Sequence, residues 1–310
     1  MDLTNQSSLP AVGDLLRVFL SGRSPATLRT YAAGLEDFRR FVAAASVDEA
    51  CRTLLAGGHG AANRSALSWR ADLLARRMAP ATVNNRLAAL RSVVKLAGLL
   101  GLVPWRLEVP SVRAESYRDT QGPGREAVRG MMARLTASAS GSAKARRDLA
   151  IVRLLHDVAL RRAEVVGLDL ADVDLAAGAV FVMRKGKREK TRLCLPAATV
   201  AAVAAWVRDR GEAAGPMFVD LSPGAEGGRL SGTSVYRLVR DLGLAVNVRT
   251  RPHGLRHAGI TRACERAAEA GIGVEEVLAY SGHADLRTLL VYRDRLRNVQ
   301  GQLAAMVAED

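Results

Sequence analysis

Ala179-Val180-Phe181-Val182-Met183-Arg184-Lys185-Gly186-Lys187-Arg188-Glu189-Lys190-Thr191-Arg192-Leu193-Cys194-Leu195 is the stretch that decides the fold class. Five apolar residues lead into seven that are charged or glycine, and an alternating run follows until Pro196. Apolar run, turn and alternating run make the pattern of a β-hairpin. Elsewhere the apolar residues recur every three or four positions, the period of a helix. The expected fold is therefore mainly α with a small antiparallel β-sheet.

Outward from the hairpin, helical patterns cover about 126–138 and 144–160 on one side. On the other they cover about 197–209, 233–242, 254–270, 274–280 and 285–293, with a Gly-rich loop at 221–229. Residues 111–124 are polar and end in the breaker triplet Gly122-Pro123-Gly124, the composition of an interdomain linker. Residues 1–110 read as four or five amphipathic helices. Ser24-Pro25 opens one of them, carrying Leu28, Tyr31, Leu35, Phe38, Phe41 and Val42; Pro80 opens another, with Val83, Leu87, Leu90, Val94 and Ala97. Leu67, Trp69, Leu73 and Leu74 mark a third between them. The expected organisation is a helical domain over 1–110, a linker over 111–124 and a mixed domain over 125–310.

The 310 residues include 45 Lys and Arg against 31 Asp and Glu, a net charge of +14. Each expected domain is basic, by six charges over 1–110 and eight over 125–310. That points to a polyanionic partner, nucleic acid first, against the plainer reading of a solvated basic surface. No apolar run approaches a membrane span, and Met1-Asp2-Leu3-Thr4 carries no basic or apolar leader. Cys51, Cys194 and Cys264 are odd in number and far apart, and are expected as buried thiols in a reducing compartment. A cytoplasmic chain with no membrane partner is expected. Only five of the basic residues are Lys, and Lys185, Lys187 and Lys190 crowd into the hairpin turn.

Four separated pieces carry groups suited to chemistry. They are Arg161-Arg162-Ala163-Glu164, the Lys-bearing hairpin, His253-Gly254-Leu255-Arg256, and Ser281-Gly282-His283 with Tyr292 nine residues later. Each alone has a plain structural reading: a solvated ion pair, a solubilising turn, a helix cap, a helix stop, a core tyrosine. In this order and spacing, however, they resemble the tyrosine recombinase (phage integrase, Xer-like) family. That family's pattern is an Arg in a G-L-R-x-x-E-type turn, a Lys on a β-hairpin, H-x-x-R, G-H and Tyr. The matching positions are Arg161 with Glu164, Lys185, His253 with Arg256, His283 and Tyr292. Thr82, Asn84, Arg86, Leu90 and Ala97, and Ser24-Pro25-Ala26-Thr27 with Tyr31, also resemble the family's helical core-binding domain. The sequence departs from the pattern at Ala159 and Arg184, where Gly is common, at Ser281 for Leu, and at Arg251 for Ser or Thr.

The resemblance implies a site-specific DNA recombinase acting through a 3′-phosphotyrosine. Arg161 and Arg256 would clamp the non-bridging oxygens of a phosphodiester with bidentate forks, and His253 and His283 would add hydrogen bonds. His253 would help to take the proton of Tyr292, whose ordinary pKa is about 10. Lys185 would protonate the leaving 5′ oxygen. These cations imply no metal, ATP or other cofactor. Further implications are a two-domain C-shaped clamp around double-stranded DNA and a homo-tetramer on synapsed sites, with an accessory or partner recombinase in some members. Leu296, Val299, Leu303 and Met306, at helix-like spacing, are expected to dock on a neighbouring protomer, with packing on their own domain as the alternative. The length suits compact Xer-type or mobile-element enzymes, without an arm-binding domain. A type IB topoisomerase, a telomere-resolving relative and a DNA-binding protein without strand exchange are the alternatives.

Overall fold

A computed structural model describes residues 25–113, 122–184, 187–224, 227–282 and 306–308. The chain divides into two compact units, Met1–Tyr117 and Arg118–Asp310. None of the described helices is long and apolar enough to cross a membrane.

In the first unit the described helices are α1 (Pro25–Phe41), α2 (Val47–Ala56), α3 (Gly58–Ala75) and α4 (Pro80–Leu99). Pro80 stands in the first turn of α4, where its missing N–H costs nothing. Ser46 caps α2 by accepting from the Glu49 N–H. Leu35, Phe38, Trp69, Leu73, Leu87, Leu90 and Val94 form the core, with Phe38 and Trp69 edge to face at 5.0 Å. Within it lies one buried acid, Asp37. It accepts from Trp69 Nε1 at 3.1 Å, from both Nη atoms of Arg76 at 3.0 and 2.9 Å, and from Arg86. Burial alone would raise this carboxyl; the Arg76 and Trp69 hydrogen bonds and the Arg86 charge outweigh it and hold it below its ordinary value. Asn84 straps the extended segment after α4, exchanging hydrogen bonds of 2.9 and 2.8 Å with the backbone of Val112.

The second unit is built around α6 (Ala143–Asp157), whose core residues include Ile151, Leu154 and Leu155. Against it pack α5 (Arg125–Ala139), α8 (Ala197–Arg210) and α10 (Pro252–Glu269). Gly259 allows α10 to lie this close, since a β-carbon there would strike the His156 carbonyl. Between α6 and α8 the chain forms α7 (Arg162–Gly167), then strands β1 (Val173–Asp174), β2 (Ala179–Met183) and β3 (Lys190–Cys194). Helices α9 (Gly232–Leu244) and α11 (Val274–Ser281) complete the unit. The sheet is antiparallel in the order β1-β2-β3, pairing Val180 with Val173 and Leu193, and Met183 with Lys190. Val180 and Val182 face the core, while Lys190, Arg192 and Cys194 line the exposed face of the edge strand β3.

Three expectations are corrected. Cys194 is exposed, because the β3 alternation turns it outward; Cys51 and Cys264 are buried. The helix expected to 160 stops at Asp157, since Ala159 takes φ +53° and breaks the hydrogen-bonded run. The second hairpin strand starts at Lys190, whose ammonium is bound to the buried acid Asp172. The helix expected over 285–293 lies outside the described residues, as does the tail except for a helical turn at 306–308.

Candidate active site

Three arginines from three elements meet at the C-terminal end of α11. A helix leaves its last four carbonyls without partners, and that end is the negative pole of its dipole. Arg184 Nη1 and Nη2 reach Ala279 O and Tyr280 O, each at 3.2 Å. Arg256 Nη2 donates to Ser281 O at 2.5 Å, and Arg161 Nη2 to Gly282 O at 2.9 Å. Gly282 ends the helix in the left-handed conformation at φ +60°. A β-carbon there would also overlap the Arg184 guanidinium.

Each arginine is fixed by its own element. Arg161 is the N-cap of α7; Glu164, buried three residues on, accepts from its backbone N–H at 2.8 Å and from its Nη1 at 2.8 Å. Arg256 sits fully buried in α10, one turn after the helix starts, and its Nη1 donates to Ala159 O. Ala159 takes the left-handed conformation that glycine adopts without strain, and its carbonyl accepts from Arg256. Ser281, in place of the usual Leu, is buried and bonds its hydroxyl to Leu278 O at 3.1 Å.

His253 lies three residues before Arg256, on the same side of α10. Its ring meets that of His257 edge-on at 4.0 Å and keeps an edge in solvent. Partial burial, and then the cations of Arg256, Arg251 and Arg161, push its pKa below 6.5, so the ring is neutral at pH 7. Burial and the nearby Arg161 also pull Arg184 down, Glu164 offsetting them in part.

Of the expected site residues, Arg161, Arg256 and His253 are thus described, and Arg161 and Arg256 meet at the α11 end. Lys185, His283 and Tyr292 lie outside the described residues. The sequence reading missed Arg184. A guanidinium among seven charged or glycine residues carries no sign of burial. Lys190, grouped there with Lys185 and Lys187, is engaged with Asp172. Tyr280, in the last turn of α11, donates to Asp157 O at 3.1 Å; burial first, then Asp157, pushes its phenol up to about 12.

A cluster of cations with a neutral histidine beside it suits phosphodiester transfer, and the comparisons with known proteins give the class. The sequence model of the phage integrase family matches residues 128–298. The chain is 36% identical over 296 residues to the tyrosine recombinase slr0733 of Synechocystis sp. (strain ATCC 27184 / PCC 6803 / Kazusa), covering 93% of this chain and 92% of that one. It is 31% identical over 278 residues to the tyrosine recombinase XerC of Myxococcus xanthus, covering 87% of each. The fold is similar to that of the XerH site-specific recombinase solved on a palindromic difH substrate, with a TM-score of 0.68, 16% identity, and 96% and 85% of the two chains covered.

The chain belongs to the phage integrase family of tyrosine recombinases. It is a tyrosine-type site-specific DNA recombinase, and DNA is its substrate.

Proposed function

We propose that Tyr292 is the nucleophile and that Arg161, Lys185, His253, Arg256 and His283 assist it. Tyr292 Oη attacks the phosphorus, the bond from phosphorus to the 5′ oxygen breaks, and a 3′-phosphotyrosine forms. The tyrosine proton passes to His253, and the Lys185 ammonium gives its proton to the leaving 5′ oxygen. Arg161 and Arg256, with His283, carry the charge that builds on the non-bridging oxygens. Because the phosphotyrosine keeps the bond energy, a second 5′ hydroxyl reverses the step and joins a new partner strand.

One observation carries this reading. Arg161 and Arg256, far apart in sequence, converge on the last turn of the helix that leads straight into His283. The neutral His253 beside them supports its part as proton acceptor.

The helical domain 1–110 and the catalytic domain 125–310, joined by the linker 111–124, would both bind duplex DNA. Exchange of two duplexes takes four cleavages, hence a tetramer on paired sites, alone or with a partner recombinase. The turn at 306–308 exposes Met306 and Val307, side chains suited to docking on a neighbour. Coverage of XerC along most of both chains supports a compact cytoplasmic enzyme of the Xer or mobile-element kind.

The test is a nicked suicide substrate carrying the recombination site, with a paired-site plasmid alongside. Expected are a covalent adduct on the 3′ side of the nick and recombinant joints. Relaxed circles without joints would assign topoisomerase chemistry instead, and binding without adduct would overturn the catalytic reading.

A further inference from the structure

We propose that Arg184 is a positioning residue: it ties the hairpin turn to the end of α11 and thereby holds Lys185, the next residue, in register with the phosphate clamp. This rests on the reading of Lys185 as general acid.

The surroundings of Arg184 set it apart from the rest of its turn. Met183 before it is 48% exposed, and Lys187, Arg188 and Glu189 after it are exposed, yet Arg184 is 8% exposed. Burying a guanidinium beside the Arg161 cation is unfavourable unless strong acceptors compensate. They are present: the fork spans two successive carbonyls at the negative end of α11, and Glu164 stands nearby. The seat is shaped for a guanidinium, since Gly282 leaves open the space that any β-carbon would take. Two donors in one plane fit two neighbouring carbonyls; a lysine ammonium has no such fork.

Covalent geometry converts this anchor into control of Lys185. Consecutive Cα atoms are about 3.8 Å apart, so fixing Arg184 confines the backbone of Lys185. A general acid must reach its oxygen within about 3 Å, and a displacement of about 1 Å costs up to ~10²-fold in rate. The same fork ends on carbonyls only three and four residues before His283 in sequence, so the hairpin and the last turn of α11 share one support.

The experiment compares cleavage of a suicide substrate with a normal phosphodiester against one with sulfur at the 5′ bridging position, which leaves without a proton. Arg184→Ala should slow the oxygen substrate about 10- to 100-fold, and stay within about 3-fold of wild type on sulfur. In the Lys185→Ala background, adding Arg184→Ala should change the oxygen rate by less than about 3-fold, because the route through Lys185 is already lost. A purely structural role would slow both substrates and both backgrounds alike. Binding to a single site reports folding, and Arg184→Lys, which keeps the charge without the fork, gives the same comparison if the alanine chain does not fold. An Arg184→Ala enzyme as fast as wild type on oxygen, or equally slow on oxygen and sulfur, overturns the proposal. If sulfur rescues Lys185→Ala but not Arg184→Ala, the tether alone fails. If it rescues neither, the reading of Lys185 fails and the tether with it.

Discussion

The sharpest check on the assignment of the nucleophile comes from Tyr280, because the structure predicts that it is inert. Of five tyrosines in the chain, Tyr280 lies nearest in sequence to Tyr292. Its hydroxyl donates to Asp157 O at 3.1 Å, and burial pushes its pKa up to about 12. At pH 8 roughly one such phenol in 10⁴ is ionised, against about one in 10² for an ordinary tyrosine. Tyr280→Phe keeps the packed ring and removes one neutral hydrogen bond, a loss of about 1 kcal/mol. For a unit of this size that lowers the melting temperature by about 2–4 °C. On a nicked suicide substrate the Tyr280→Phe enzyme should form covalent adduct at the wild-type rate. Tyr292→Phe should bind the same DNA and form none. Adduct that disappears with Tyr280→Phe in a folded enzyme, or persists with Tyr292→Phe, would refute the assignment and the reasoning from burial behind it.

Three further outcomes follow from the structure. Asp37→Ala should destabilise the first unit by about 3 kcal/mol in urea unfolding, the low end for a broken buried ion pair because Arg76 is half in water; since this carboxyl is held below its usual 3.8, the stability it confers is present above pH 3.8 and lost as pH falls through the lower folded value. The acid limb of single-turnover cleavage should lie below pH 6.5, as burial and three arginines keep His253 neutral there, and Arg251→Gln should move it upward; a wild-type limb above 6.5 would contradict the role of His253. Brief alkylation of the native protein should label Cys194 and spare Cys51 and Cys264, whose thiols burial pushes up to about 12 and about 11; peptide mapping reads the result.

Long elements with a clear period and punctuation were legible in the sequence. Pro25 and Pro80 stand where α1 and α4 begin, and the hairpin pairs strands at its expected place with a shift of one residue. Short elements were not. Two residues of β1 and six of α7 are too few to express any period, although both position the site. The α2 helix carried its signal in the cap Ser46 with Glu49 three residues on, which a search for apolar periodicity overlooks. At the site, Glu164, paired with Arg161 in the sequence pattern, holds it at both backbone and side chain. Arg184 could not be found from composition, because its burial depends on carbonyls that lie 95 and 96 residues away.

The closure of α11 by three arginines has a consequence for how the enzyme is made. The bonds that fix Arg161, Arg184 and Arg256 span 121, 96 and 25 residues, and all end on backbone between 279 and 282. A growing chain folds from its N-terminus as it leaves the ribosome, and pairings across long separations form late. Arg161 and Arg184 therefore emerge long before the carbonyls that orient them. A polypeptide interrupted between Arg256 and α11 carries all three arginines but lacks the carbonyls that gather them, so the cluster assembles only when the last part of the chain has been made.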